Sequence, residues 1–473
     1  MPQRRLPPER QGALACAILN LVVPLAFPAT AMRIKGTVGI LPCRPCAVDL
    51  LIGFHLRQAD VDSTTWRSTA RTTRGSRTSM MATRTTTTRT TPVGLVPSAD
   101  THAVAAGHAD FSFEALVQAY FDCRRNKRSS RNALAFELNL ERNLMQLHTE
   151  LIDRSYQPGP SICFVVTHPK PREVWAADFR DRIVHHLLYN HIGPRIERSF
   201  IADSCACITG RGTLYAAQRL EAKIRSITQN WSQPAHYLKC DLANFFVSID
   251  KRVLEQQLAT RIKEPQWLAL AQQILMHDPR ENYRLHSTPR LVNRVPQHKR
   301  LASQPSYLGL PIGNLSSQFF ANLYLDTLDQ HVKHRMQVQH YIRYVDDFVL
   351  LHQSPEQLRT WLNELTDFLP ERLGVRLNPS KTIQQPISRG VDFVGQVIKP
   401  WHRTTRRRTV EHALKRVATA PAAELTETAN SYFGLLTQAT HSHTDRRKLA
   451  KAVLMRGQTV NARLTKTYKR RGA

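Results

Sequence analysis

The stretch YIRYVDDFVLLH, Tyr341 to His352, sets two aspartates side by side inside a run of apolar and aromatic residues. An unpaired carboxylate in such surroundings is costly to bury. The flanking residues read as two short strands, so Asp346 and Asp347 fall at the bend of a hairpin. Adjacent negative charges there call for a positive partner. A second predicted strand, HYLKCD (His236 to Asp241), ends on a third acid. Mg²⁺ binds through a few carboxylates and keeps water and substrate phosphate as its other ligands. Two such ions can activate a 3′-hydroxyl and stabilise a leaving pyrophosphate in an in-line displacement. The acidic pair therefore points to phosphoryl transfer, with Asp241 as the third ligand. A solvated acid pair in a surface turn is what the dipeptide alone leaves open.

Composition narrows the partners. The 473 residues carry a formal net charge of +29, which raises the local concentration of polyanions and makes nucleic acid the first partner to consider. An anionic membrane surface is the other candidate. The cysteines are scattered, and only Cys43 and Cys46 have metal-type spacing, with no second Cys/His pair nearby. Free thiols in a reducing compartment are the simplest account, and a cytoplasmic location follows from it.

Residues 1–109 read as a low-complexity leader. The segment GALACAILNLVVPLAFPATA (Gly12 to Ala31) resembles a secretory signal but is broken by Asn20, Pro24 and Pro28. The Thr/Arg run that follows lacks the apolar residues to fold. A disordered leader, or sequence upstream of an internal start at Met80 or Met81, is the expectation. Beyond Asp110, three- and four-residue apolar spacing predicts helices over FSFEALVQAYFDCRRNK, NALAFELNLERNLMQLHTELIDRSY and DRIVHHLLYNHIGPRIE. ICFVVTHPKPREVWAADF predicts two strands and a Pro/Lys turn. DKRVLEQQLATRI predicts a helix capped by Asp250, and LSSQFFANLYLDTLDQHVKH a long helix. The tail from Arg403 reads as helical and basic. Strands alternating with helices give an α/β or α+β core.

Taken in order, YLKCDLANFFVSID, GLPIGNLSSQFFANLYLDTLD, YIRYVDDFVLL, RLNPSKT and GVDFVGQVIKP resemble the successive palm motifs of reverse transcriptases. PKPREVWAADFRDRIVHHLL and DSCACITGRGT resemble the fingers motifs of the bacterial group II intron-like branch. The resemblance spans Phe111 to Arg456. It implies an α+β right-hand polymerase: fingers with the start of the palm over 110–235, a palm over 236–400 with an insertion loop at 280–307, and a helical basic thumb over 401–473. It implies an RNA-directed DNA polymerase working with two Mg²⁺ ions, or Mn²⁺ in their place. Partners would be an RNA template, the RNA–DNA hybrid, dNTPs, and a non-coding RNA with a small accessory protein, without a membrane.

Position by position, the resemblance makes Asp241, Asp346 and Asp347 the catalytic metal ligands. Phe246 would stand beneath the incoming sugar and exclude a ribose 2′-hydroxyl. Lys170 and Arg172 would contact the triphosphate, helped by Arg182; a planar guanidinium suits phosphate oxygens. Gly313 and Gln318 would line the nucleotide and template cleft, and Lys381 would approach the leaving pyrophosphate as a general acid. Phe393 and Gly395, in FVGQ, would form the primer grip. Two positions depart from the pattern. Ile312 stands where glutamine is usual, and the IGNLSSQ form is typical of diversity-generating retroelement enzymes and some phage-defence relatives; an apolar residue there implies relaxed base selection. Ile208 stands where arginine is common, with Arg211 available nearby. Diversification, antiviral defence and intron maturation all stay open as roles.

Overall fold

The computed structural model describes residues 111–125, 130–167 and 170–469. The leader, its signal-like segment, Cys43 and Cys46 lie outside these residues. The described chain mixes helix and sheet, as the alternation of strands and helices implies.

Three helices open it: α1 (Phe113–Arg124), α2 (Arg131–Glu137) and α3 (Leu140–Ile152). The second and third were expected as one helix. They part at Asn139, whose φ of −132° and ψ of 50° leave the helical region, while the Asn143 amide donates back to the Phe136 carbonyl at 2.8 Å. Strands β1 (Ser161–Val166) and β2 (Arg172–Ala176) form the expected antiparallel hairpin, followed by α4 (Phe179–Glu197) and α5 (Thr213–Ile227). Strand β3 (His236–Asp241) leads into the short α6 (Phe245–Ser248). Next comes α7 (Lys251–Arg261), capped by Asp250 as its sequence predicts, and α8 (Pro265–Met276).

The inserted segment read as a loop has structure of its own. It contains β4 (Tyr283–Leu285) and α9 (Pro289–Val292), and β4 runs parallel to β1, giving the sheet order β2–β1–β4. The Glu173 carboxylate, buried on β2, accepts from Leu301 N at 2.9 Å and fastens the far end of the insertion to the same sheet.

A long buried helix, α10 (Leu315–Gln330), continues into a π turn at His331–Arg335. Strands β5 (His340–Tyr344) and β6 (Asp347–His352) make the hairpin that the acidic stretch predicts. After α11 (Pro355–Leu373), β7 (Ile383–Pro386) completes a four-stranded antiparallel sheet of order β5–β6–β3–β7. The period-two alternation of strands sends Leu238, Cys240, Phe348 and Leu350 to one face, into the main core with α10 and α11. Tyr237, Ile342, Val349 and Leu351 go to the other, against α5 and the next sheet. That sheet is β8 (Val391–Phe393), β9 (Gln396–Lys399) and β10 (His402–Thr405).

The C-terminal unit has its own core, in which α12 (Arg407–Thr419), α13 (Ala422–Leu436) and α14 (His443–Leu454) pack through Val410, Val417, Phe433 and Leu449. The tail was expected to be helical throughout. It begins instead with β10 and ends in a hairpin of β11 (Thr459–Val460) and β12 (Thr467–Tyr468), where Asn430 of α13 bonds both ways with the Thr467 backbone. Among the described residues the five cysteines are free, and no helix is long and apolar enough to cross a membrane.

Candidate active site

The acids meet because of strand register. Asp241 is the last residue of β3 and Asp347 the first of β6, and the antiparallel ladder sets them opposite each other. Their strand positions share a face with Lys239, because residues two apart on a strand point the same way. Asp346 belongs to the two-residue turn between β5 and β6, which Tyr344 and Asp347 close as a pair. Its neighbour Val345 takes a φ of +56°, a left-handed conformation that β-branched residues avoid. The turn thus stores strain at the acidic bend.

The electrostatics follow from this crowding. Burial, then the Asp347 and Asp241 carboxylates, push the Asp346 carboxyl up to about 7. Burial raises Asp347 too, with Lys239 pulling the other way. Two ammonium groups already answer the charge: Lys381 Nζ donates to both oxygens of Asp241 at 2.7 and 2.6 Å, and Lys239 Nζ lies 3.9 Å from Asp347 Oδ2. Asn378 steadies Asp241 through its side-chain amide at 3.2 Å and its backbone N–H at 2.8 Å. Among the described residues no three ligating groups are gathered about one point. The donor set is nonetheless all carboxylate oxygen, the kind that hard divalent cations take. Raised carboxyls and recruited lysines both mark a place that demands positive charge.

Chain continuity and a few hydrogen bonds connect the acids to some of the other predicted residues. Asn244, at φ +50°, turns the chain out of β3 into α6, where Phe245 is buried and Phe246 half-buried. Phe246 O accepts from Leu310 N at 2.8 Å, which draws in the loop carrying Gly313. That loop is bound to β2: Trp175 N donates to Ile312 O at 2.8 Å and Ala177 N to Asn314 Oδ1 at 2.9 Å. Gly313 sits at φ +131°, and a Cβ there would fall 2.9 Å from Val174 Cγ1 and 3.0 Å from Trp175 O. Only glycine fits both the turn and the approach. Gln318, one turn into α10, keeps a buried Oε1 with no hydrogen-bond partner.

Arg182 Nε donates to Ala177 O at 2.8 Å, so this guanidinium braces the end of β2. Lys170 and Arg172 are exposed beside the start of β2. Arg211 bonds the Ile201 and Ser204 carbonyls at 2.8 and 2.7 Å beside the buried Ile208. At the other side, Phe393 is buried and Val394 and Gly395 both have positive φ, the mark of a type I′ turn. Lys239 Nζ donates to Asp392 O at 3.1 Å and so ties that hairpin to the acids.

Sequence reasoning missed Lys239, Asn378 and the fully buried Arg343. Strand alternation places Lys239 beside Asp241, a signal that was available; Asn378 and Arg343 are revealed only by tertiary contacts.

The family described as reverse transcriptase (RNA-dependent DNA polymerase) matches residues 169–398. The COX1/OXI3 intron 2 protein of Saccharomyces cerevisiae is 21% identical over 37% of this chain and 24% of its own length. Telomerase from Candida albicans has a TM-score of 0.39 at 11% identity, over 64% of this chain and 57% of that one. Apo telomerase from Candida tropicalis has a TM-score of 0.40 at 11% identity, over 63% and 56%. The chain thus spans about a quarter of the yeast protein and under three fifths of these telomerases. The three aspartates, their lysines and the strained turn all lie within the stretch that matches the reverse transcriptase family.

Proposed function

We propose that this chain is an RNA-directed DNA polymerase. The observation that carries the reading is the register that sets Asp241 against Asp347 with Asp346 in the adjoining turn. Asp241, Asp346 and Asp347 would hold divalent metal, two Mg²⁺ ions or Mn²⁺ in their place. Bound there, the metal would supply charge stabilisation for transfer of a nucleotidyl group to a 3′-hydroxyl. The remaining work belongs to side chains. Lys381, already at the acids, is within reach to protonate a leaving pyrophosphate. The half-buried Phe246 ring gives a bulky floor that excludes a 2′-hydroxyl. Gly313 and Gln318 line the cleft, the free guanidinium and ammonium of Arg172 and Lys170 wait for a triphosphate at the hairpin tip, and Arg182 holds that hairpin's base. The β8–β9 turn, tied to the acids through Lys239, serves as the primer grip.

In this reading residues 110–235 are fingers with the start of the palm, 236–400 palm, and 401–473 thumb. The template is an associated non-coding RNA, and the IGNLSSQ form favours a diversity-generating retroelement with a small accessory protein. Antiviral defence is the second reading, and the likeness to an intron-encoded yeast protein keeps intron maturation in view. Extension of a DNA primer on an RNA template, with dNTPs and Mg²⁺, tests the chemistry. Asp346→Asn with Asp347→Asn should lower the rate by roughly three orders of magnitude or more with the fold kept. A folded wild-type chain that adds no dNTP with either metal would sink the proposal. Sequencing the nucleic acid that copurifies would separate the roles.

A further inference from the structure

Arg343 is the third residue before Asp346, yet it faces away from the acids. It pairs with Phe348 across the hairpin, so it points to the α10 side of the sheet, where it is 1% exposed. A guanidinium so deep must use its donors. Nε and Nη2 fork onto Asp329 of α10 at 2.8 and 2.7 Å, and Tyr341 OH donates to the same carboxylate at 2.7 Å. Nη2 also reaches Ser204 Oγ at 2.9 Å, and Nη1 reaches Asn322 Oδ1 at 3.3 Å. One donation remains: Nη1 to the carbonyl of Val345, at 3.0 Å. The residue thus carried at φ +56° is the one whose carbonyl the buried cation holds.

The same strand is fixed by its backbone. Arg343 N donates to Asp203 O at 2.9 Å, and Arg343 O accepts from Cys205 N at 3.0 Å. Asp329 and Asn322 lie two helical turns apart on α10, the helix that starts just past Gly313 and carries Gln318. One guanidinium therefore joins the helix that lines the nucleotide side, the 203–205 segment and the acidic turn. A buried ion pair of this kind is a poor source of net stability, since desolvation offsets most of the attraction. It is well suited to fixing geometry.

We propose that Arg343 is a positioning residue for the polymerase site: through the Val345 carbonyl it holds the strained turn that carries Asp346 and leads into Asp347, opposite Asp241. This rests on the polymerase reading. Lysine at 343 keeps the charge but has one nitrogen, which cannot serve Asp329, Ser204 and Val345 together.

The test uses the full chain in primer extension, with activity expressed per folded molecule from a thermal melt, and Mn²⁺ binding measured by electron paramagnetic resonance without nucleotide. Arg343→Lys should lower kcat by about 10²-fold, the loss that misplacement of about 1 Å brings. The KM for dNTP should stay within about threefold, since the binding surfaces are untouched. Mn²⁺ should bind more weakly in the variant. Val345→Gly, which accepts positive φ without strain, should recover part of kcat in the lysine background. If the lysine variant does not fold, Asp329→Asn, which loosens one arm of the fork and keeps the Tyr341 contact, should show the same pattern in smaller measure. Wild-type kcat per folded molecule together with wild-type Mn²⁺ binding in these variants, or no gain from Val345→Gly, would overturn the assignment of Arg343 alone. A folded wild-type chain with no extension would overturn the polymerase reading and this inference together.

Discussion

At the scale of single residues, the acids crowd one another in a buried setting. In Asp346 the folded carboxyl rises to about 7 from an ordinary 3.8, so the folded state prefers the proton. Stability therefore falls as pH rises through that interval, because the unfolded chain releases the proton first. Between about pH 5.5 and pH 7.5 the metal-free melting temperature should drop more in the wild type than in Asp346→Asn. Mg²⁺ should restore more of it at the higher pH, where the carboxylate is free to bind. Parallel melting curves for the two proteins would refute this. In the proposed polymerase, Phe246 would bear on substrate choice. Phe246→Ala should raise rNTP incorporation relative to dNTP by about tenfold or more, in line with what a removed steric contact yields; an unchanged ratio in a two-nucleotide competition would exclude a gating ring. The acid pair and its third member were legible because their types and spacing are unusual for buried strands. Asn378 was not, since its partner Asp241 lies 137 residues away, nor was Arg343, since its burial and its joint hold on Asp329, Ser204 and the Val345 carbonyl arise only in the folded chain.

Among the elements, the β1–β2 and β5–β6 hairpins and the helices α1, α4, α7 and α10 were readable from local pattern, whereas α5, α11, the β11–β12 hairpin and the joints between elements were not. Asn139 breaks a helix that spacing alone runs through, because a backbone angle and a side-chain amide decide the matter locally. The insertion became a strand for a reason outside itself: β1 offered an unpaired edge, and Tyr283, Arg284 and Leu285 took it. The joint that matters most to the site is the loop from Gly309 to Asn314. Gly313→Ala should lower stability by about 1–3 kcal/mol, since it adds both a Cβ against Val174 and Trp175 and an unfavourable φ. Thermal melts would register this as a shift of several degrees, and a neutral result would mean the loop relaxes away from β2.

Over the whole molecule the +29 charge would, in the polymerase reading, govern how the chain meets a template. The start of α12 is part of that surface, where Arg407 is almost fully exposed. Binding to a single-stranded RNA should weaken with salt along a log–log slope of about −3.5 or steeper, as expected if about five or more phosphates are contacted. Anisotropy titrations from low to physiological salt would measure it, and a flat dependence would assign the charge elsewhere. The parallel pairing of β1 with β4 has a further consequence. Val165 bonds to Ser287 across 122 residues and Leu301 to Glu173 across 128, so this small sheet waits for the inserted segment, yet its residues precede β5, β6 and β7 of the larger one. Such non-local contacts slow folding and bind its order to chain synthesis. A polypeptide still emerging from the ribosome would carry β1 with one bare edge until residue 285 appeared, and Asp241 would wait longer still for its partner on β6.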